Sequence, residues 1–203
     1  MTNFTCRGTA CREKLVKQYK LTPIAYVKLL EGQSKTSCTG SLLTDAYYLF
    51  EYQHKSQPND TGSFYCGSAA AQHFLKLIRC KPLSVFDPFV APPKSIGTSE
   101  TGIWNEVALE LYVAINLIII CWNKPIYGKL SKIKQKLEKK PFLPPFYDDV
   151  LFVNNIIAKD AKKRTLNQML DDLKKDNPKL YNYSFQELTK LLNQHKVMSK
   201  FEF

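Results

Sequence analysis

Prolines divide this chain of 203 residues into two parts with different sequence patterns. Residues 82–97 contain four prolines and a glycine: Pro82, Pro88, Pro92, Pro93 and Gly97. Before this stretch, short runs rich in β-branched and aromatic residues predict strands, and after it apolar residues recur at helical spacing. The pattern predicts an α+β fold with a β-rich region at 1–81, an irregular connector at 82–97 and a helical region at 98–203. Because neither region is large, we expect them to share one core.

The first region is predicted to form three strands and a helix. The strands are expected at residues 23–30, 42–52 and 63–66. Ser68 is the predicted N-cap of the helix, because its hydroxyl suits the free N–H groups of a first turn. The apolar face of that helix comprises Ala70, Phe74, Leu77 and Ile78. Residues 12–20 are interpreted as either a short basic helix or an irregular lead-in.

The second region is predicted to be entirely helical. Helices are expected at residues 99–123, 126–140, 147–163, 166–175 and 185–196, the first beginning at Ser99 or Thr101. Capping boxes, Thr165-x-x-Gln168 and Ser184-x-x-Glu187, are predicted to start the last two. Residues 103–122 are strongly apolar but include Glu110, and a carboxylate there would cost about 3 kcal/mol in a bilayer. We therefore expect a buried core helix and no membrane partner.

Positive charge is concentrated in one stretch of the chain. The formal net charge is +11, and residues 124–164 hold eleven basic and four acidic residues, a net charge of +7. Such a stretch favours a polyanionic partner. The predicted phosphate contacts are Lys132, Lys136, Lys139, Lys140, Lys162, Lys163 and Arg164.

Two structural explanations compete with this interpretation. The lysines form a solvated surface in either case, and the cations at 159–164 also suit the C-terminus of the predicted helix. The interleaved aromatic residues are expected mainly in the core rather than as platforms for stacked bases. They are Tyr127, Phe142, Phe146, Tyr147 and Phe152.

Two cysteines lie in similar settings, Ser37-Cys38-Thr39-Gly40 and Phe64-Tyr65-Cys66-Gly67-Ser68. Together they resemble a treble-clef zinc finger of the TRASH, MYM and FCS type over residues 35–80. The resemblance implies bound zinc, with Cys38 and Cys66 as two ligands. Structural zinc needs four ligands, yet the two remaining positions of the motif hold Lys35 and Ala70. Cys6 and Cys11 are the predicted replacements, with His73 or Cys80 as alternatives; a finger without metal would leave Cys38 and Cys66 buried.

The cellular compartment of the protein determines whether its cysteines are oxidised. The N-terminus is polar and has no apolar segment typical of a signal peptide, so we expect a cytoplasmic protein. Free thiols or metal ligands are then favoured over disulfides.

Three classes of function follow. The leading hypothesis is a non-enzymatic cytoplasmic accessory protein that binds DNA or RNA, or a nucleoprotein complex, through residues 124–164. Replacing the seven predicted phosphate contacts with Gln is then expected to abolish binding and leave folding intact. The alternative is a protein-interaction module of phage, plasmid or bacterial origin, acting as an inhibitor, adaptor or antitoxin through residues 82–93 and 141–147. A small enzyme is the third class, although the sequence contains no phosphate-binding glycine loop, Gly-x-Ser-x-Gly or His-Glu-x-x-His motif.

Overall fold

The structure, a computed structural model, describes residues 5–92 and 103–202. The chain divides into two compact units, Met1–Asp87 and Pro88–Phe203. The first holds strands and helices and the second holds helices, so the predicted α+β class is confirmed. Of the predicted connector, residues 93–97 lie outside the described residues, as do Ser99 and Thr101.

An antiparallel sheet forms the centre of the N-terminal unit. The elements in chain order are α1 (Thr9–Gln18), β1 (Tyr19–Lys28), β2 (Lys35–Thr36), β3 (Leu42–Leu43), β4 (Ala46–His54), β5 (Thr61–Cys66) and α2 (Ser68–Leu77). The main sheet has the order β1-β4-β5, and β2 pairs with β3 separately. The register of β1 shifts between Pro23 and Ala25, which suits a proline because it cannot donate to the ladder. Strand β1 begins four residues before its predicted start at residue 23.

The core of this unit is aromatic. Phe50 and Phe64 lie opposite each other on β4 and β5, and their rings stack with centroids 5.5 Å apart. Phe74 of α2 packs against both rings, at 5.7 Å and 5.5 Å. The predicted apolar face of α2 is thus buried at Ala70 and Phe74. The predicted cap was wrong: Gly67 occupies the N-cap position, and Ser68 is the first residue of the helix.

A long apolar helix lies at the centre of the C-terminal unit. The elements are α3 (Glu106–Trp122), α4 (Lys129–Lys139), α5 (Tyr147–Ile157), α6 (Leu166–Lys174) and α7 (Gln186–Gln194), and α3 contacts all four of the others. The side chain of Asn105 caps α3 by accepting from the Ala108 N–H at 3.1 Å. Leu111, Ile115 and most other α3 side chains are buried. Among the described residues, no helix is both long enough and apolar enough to cross a membrane.

The last two helices begin in different ways. The predicted capping box of α6 is confirmed, with Thr165 and Gln168 each bonding the other's backbone N–H. The predicted box at Ser184 was wrong, because its hydroxyl donates to Glu202 at 3.1 Å instead. The N–H groups of Glu187 and Leu188 donate to the carboxylate of Glu110, at 3.2 Å and 2.9 Å. Helix α7 is therefore capped from α3 and from the C-terminal segment.

Candidate nucleic-acid interface

Helix α4 presents a row of lysines on its outer side. Leu130, Ile133 and Leu137 are buried and fix the inner side of the helix. The exposed lysines recur every three or four residues and are Lys129, Lys132, Lys136, Lys139 and, just after the helix, Lys140. At a rise of 1.5 Å per residue, this row extends over roughly 15 Å. The structure thus brings together four of the seven predicted phosphate contacts.

Lys134 is the exception among the α4 lysines, since its side chain is only 1% exposed. Its ammonium group lies 2.5 Å from a carboxylate oxygen of Glu138 and 4.8 Å from the ring centroid of Tyr112. Burial lowers the pKa of this lysine, and the Glu138 carboxylate acts in the opposite direction. Lys134 is therefore part of the packing of α4 on α3 and is unavailable to a ligand.

Lys136 has a fixed position within the exposed row. Its ammonium group lies 3.1 Å from Asp149, in the first turn of α5, and 5.5 Å from the ring centroid of Phe146. A salt bridge and a cation–π contact together restrict the long side chain. Lys132, Lys139 and Lys140, in contrast, make no ion pair with any carboxylate of the described residues.

An apolar cleft of about 280 Å³ opens beside the lysine row. Its apolar lining comes from Leu137, Leu143, Pro144, Pro145 and Phe146, and none of the acidic residues that the structure describes contributes. Lys136, Lys139 and Lys140 complete the lining. The cleft therefore combines apolar walls with a cationic rim, an arrangement suited to a ligand that has a flat apolar group beside negative charges.

The aromatic residues of this stretch were expected mainly in the core, and this expectation was wrong for three of them. Phe146 is 73% exposed and Phe142 is 56% exposed, and Tyr127 is also exposed. Tyr147 stacks on His195, and Phe152 lies beneath the ammonium group of Lys129. Exposed rings beside lysines are typical of surfaces that bind single strands.

The remaining predicted contacts lie in the connection between α5 and α6. Lys162 and Lys163 are exposed. Arg164 instead forms a bidentate pair with Asp160, through Nε at 3.0 Å and Nη2 at 2.9 Å, and a further bond to Asp172 at 2.8 Å. Its guanidinium group is thus committed to two carboxylates, and we assign it a structural role.

Asp160 organises this connection. Its side chain, 4% exposed, also accepts the backbone N–H groups of Lys162 and Arg164. Hydrogen bonding from Arg164 lowers the pKa of Asp160 to about 2. The predicted helix at 147–163 ends early, at Ile157, because these bonds hold a turn in which Lys163 has a positive φ of 57°.

The predicted zinc ligands do not converge. Cys6 and Cys38 form a disulfide, so the expectation of free thiols was wrong at these two positions. Cys66 is buried among the aromatic side chains of the core, and burial raises the pKa of its thiol to about 12. Cys11 is exposed. Over residues 5–92 and 103–202, no three His, Cys, Asp or Glu side chains are grouped as metal ligands would be.

Comparison with known proteins identifies a family for nearly the whole chain. Residues 4–200 match the family described as Uncharacterised conserved protein UCP028583. The chain belongs to this family. No curated protein matches the chain, and no solved structure matches the chain.

The UCP028583 match corrects the resemblance to a treble-clef finger. The family extends over both units, whereas the resemblance was confined to residues 35–80. Within that segment, Cys38 bonds to Cys6 rather than to a metal, and β4 and β5 form a continuous antiparallel pair that buries Cys66. The finger interpretation was therefore wrong.

Sequence reasoning left Lys134 out of the predicted phosphate contacts but did not predict its burial or its pairing with Glu138. A signal was present, because Lys134 follows Leu130 by four residues and precedes Leu137 by three, which places it on the apolar side of the helix. Glu138, four residues further on, supplies the counter-charge. The cleft had no comparable signal, since it depends on how residues 143–146 fold back beside α4.

Proposed function

We propose that this protein binds nucleic acid through the outer side of α4 and the adjoining residues 143–146, and acts by occupancy rather than by chemistry. The observation that carries the proposal is the row of exposed lysines beside an apolar cleft that the exposed ring of Phe146 lines. Phosphate groups would contact the lysines, and bases would contact the apolar surface.

The charge balance of the row supports this proposal. Glu138 neutralises the buried Lys134, and Asp149 pairs with Lys136. Lys132, Lys139 and Lys140 keep their charge available for an external anion. Binding by such groups releases counterions, so the affinity would fall steeply as the salt concentration rises.

The experiment compares two variants that remove the same charge. Lys132, Lys139 and Lys140 are replaced with Gln in one variant, and the exposed Lys14, Lys17 and Lys20 of the N-terminal unit are replaced with Gln in the control. Fluorescence anisotropy measures binding to a labelled single-stranded DNA, the same strand as a duplex, and an RNA of matching sequence, over a series of salt concentrations.

We expect the α4 variant to bind more weakly and its plot of log affinity against log salt to be shallower by about 2 for a single strand, since three contacts contribute roughly 0.7 each. The control should retain the wild-type slope. An equal loss in both variants would mean that net charge alone attracts the nucleic acid. Absence of wild-type binding at low salt would overturn the proposal.

A protein partner is the second candidate, favoured by the exposure of Phe142 and Phe146 in one segment and of Val90 elsewhere in the same unit. An apolar protein interface would bury these side chains, and its affinity would change little with salt. The same salt series, carried out with a partner recovered by the immobilised protein, distinguishes the two candidates.

A further inference from the structure

We infer that the cleft beside α4 receives an unpaired base, so that the protein prefers single-stranded nucleic acid to duplex. The inference rests on the proposed function and specifies its ligand. Three features of the C-terminal unit support it: the lining of the cleft, the position of its cationic rim and the length of the lysine row.

The lining suits a flat, apolar group. The cleft of about 280 Å³ is close to the lower end of the size range of small-molecule sites. Leu137 and Leu143 provide aliphatic walls, and the ring of Phe146 is 73% exposed. A base offers two apolar faces, and stacking on an aromatic side chain contributes about 1–3 kcal/mol per base.

The rim places positive charge where the flanking phosphates would lie. Lys136, Lys139 and Lys140 all line the cleft, and Asp149 and Phe146 hold the side chain of Lys136 there. A strand whose base enters the cleft would therefore bring its backbone onto lysines that already border the opening.

The row extends past the cleft, to Lys132 and Lys129. Cations repeated over roughly 15 Å suit a linear polymer with a charge on every unit better than they suit a short acidic peptide. A duplex could contact the row but could not supply the base without unpairing and unstacking it, which is energetically unfavourable. The geometry therefore favours a single strand.

The test uses the full chain, three probes and two phenylalanine variants. The probes are a labelled single-stranded oligonucleotide, an abasic strand of the same length, and a duplex. Phe146→Ala removes the ring that lines the cleft. Phe142→Ala is the matched control, because that ring is also exposed in the same segment but does not line the cleft.

We expect Phe146→Ala to weaken binding to the base-containing strand roughly 5- to 150-fold, with little change for the abasic strand or the duplex. Phe142→Ala should bind like the wild type. Equal wild-type affinity for the abasic and base-containing strands would overturn the inference, as would an unchanged affinity of Phe146→Ala.

The two proposals fail in distinguishable ways. If the triple lysine variant loses affinity for all three probes while Phe146→Ala loses none, the proposed function stands and the base-binding cleft does not. If the wild type binds none of the probes but binds an acidic peptide with apolar side chains, both proposals are overturned.

Discussion

Replacing Arg164 with Gln is predicted to destabilise the C-terminal unit. The change removes three charge-assisted hydrogen bonds, two to Asp160 and one to Asp172. Each such bond contributes about 1.5–3 kcal/mol, but Asp160 keeps two backbone donors and Gln can replace part of the loss. We expect the free energy of unfolding to fall by about 2–4 kcal/mol, and the midpoint of thermal unfolding to fall by roughly 5–15 °C.

The assay is intrinsic tryptophan fluorescence during thermal and urea unfolding. Both tryptophans, Trp104 and Trp122, belong to the C-terminal unit, so the signal reports the unit that contains Arg164. Lys159→Gln is the control, because it removes one positive charge from an exposed side chain in the same connection.

The effect should also depend on pH. Because Arg164 lowers the pKa of Asp160 to about 2, the pair contributes stability that is present above the ordinary aspartate pKa of about 3.9 and is lost as the pH falls towards 2. The difference in the free energy of unfolding between wild type and Arg164→Gln should therefore have its full size at pH 7 and shrink below about pH 4. Equal unfolding midpoints for Arg164→Gln and Lys159→Gln at pH 7 would refute the structural role.

Three further predictions concern stability. Replacing Cys6 and Cys38 with Ser should lower the stability of the N-terminal unit by about 3–4 kcal/mol, because their disulfide links positions 32 residues apart and restricts the unfolded chain. Urea unfolding, followed by circular dichroism, measures this loss. Lys134→Met should leave the free energy of unfolding unchanged or raise it, whereas Glu138→Gln should lower it by about 3–5 kcal/mol. Only the second change leaves a buried charge without its partner. Unfolding followed by tryptophan fluorescence compares the two variants. Glu110→Gln should lower the free energy of unfolding by about 1–3 kcal/mol, since the amide group of Gln cannot accept hydrogen bonds from both N–H groups of α7. The same fluorescence assay measures this loss.

Each of these predictions has its own control and its own contrary outcome. For the disulfide, replacement of the exposed Cys11 and Cys80 with Ser should change nothing, and wild-type stability of the disulfide variant would contradict the prediction. For the buried pair, similar losses in both variants would show that Lys134 contributes net stability. For Glu110, the neighbouring Glu106→Gln should be nearly neutral, and an equal loss there would remove the capping explanation.

Local patterns were sufficient for most of the fold. The apolar periodicity of α4 and α5 and the Thr165 capping box depend on residues within a few positions of each other, and each predicted helix forms, although α5 ends at Ile157 and not at residue 163. Long-range contacts account for the failures. Ser184 matched the capping pattern, yet carboxylates from α3 and the C-terminal segment bond the backbone at the start of α7.

The candidate site was predictable in part for the same reason. Helical spacing alone put Lys132, Lys136 and Lys139 on one side of α4. The paired role of Arg164 was hidden, because it depends on Asp172 and on a turn held by Asp160. The combined replacement of all seven predicted contacts is therefore a poor test of binding, since one of the seven supports the fold.

The contrast between α6 and α7 has a consequence for the order of folding. The start of α6 is capped by residues of its own first turn, so this helix can begin to form before distant parts of the chain meet. Two N–H groups of α7 gain their acceptor only when folding brings Glu110 to them, and Glu110 is 77 and 78 positions away in sequence. Closing so long a loop is entropically costly. We therefore expect φ-values near α6 to exceed those at the start of α7, and Glu110→Gln to accelerate unfolding more than it slows folding.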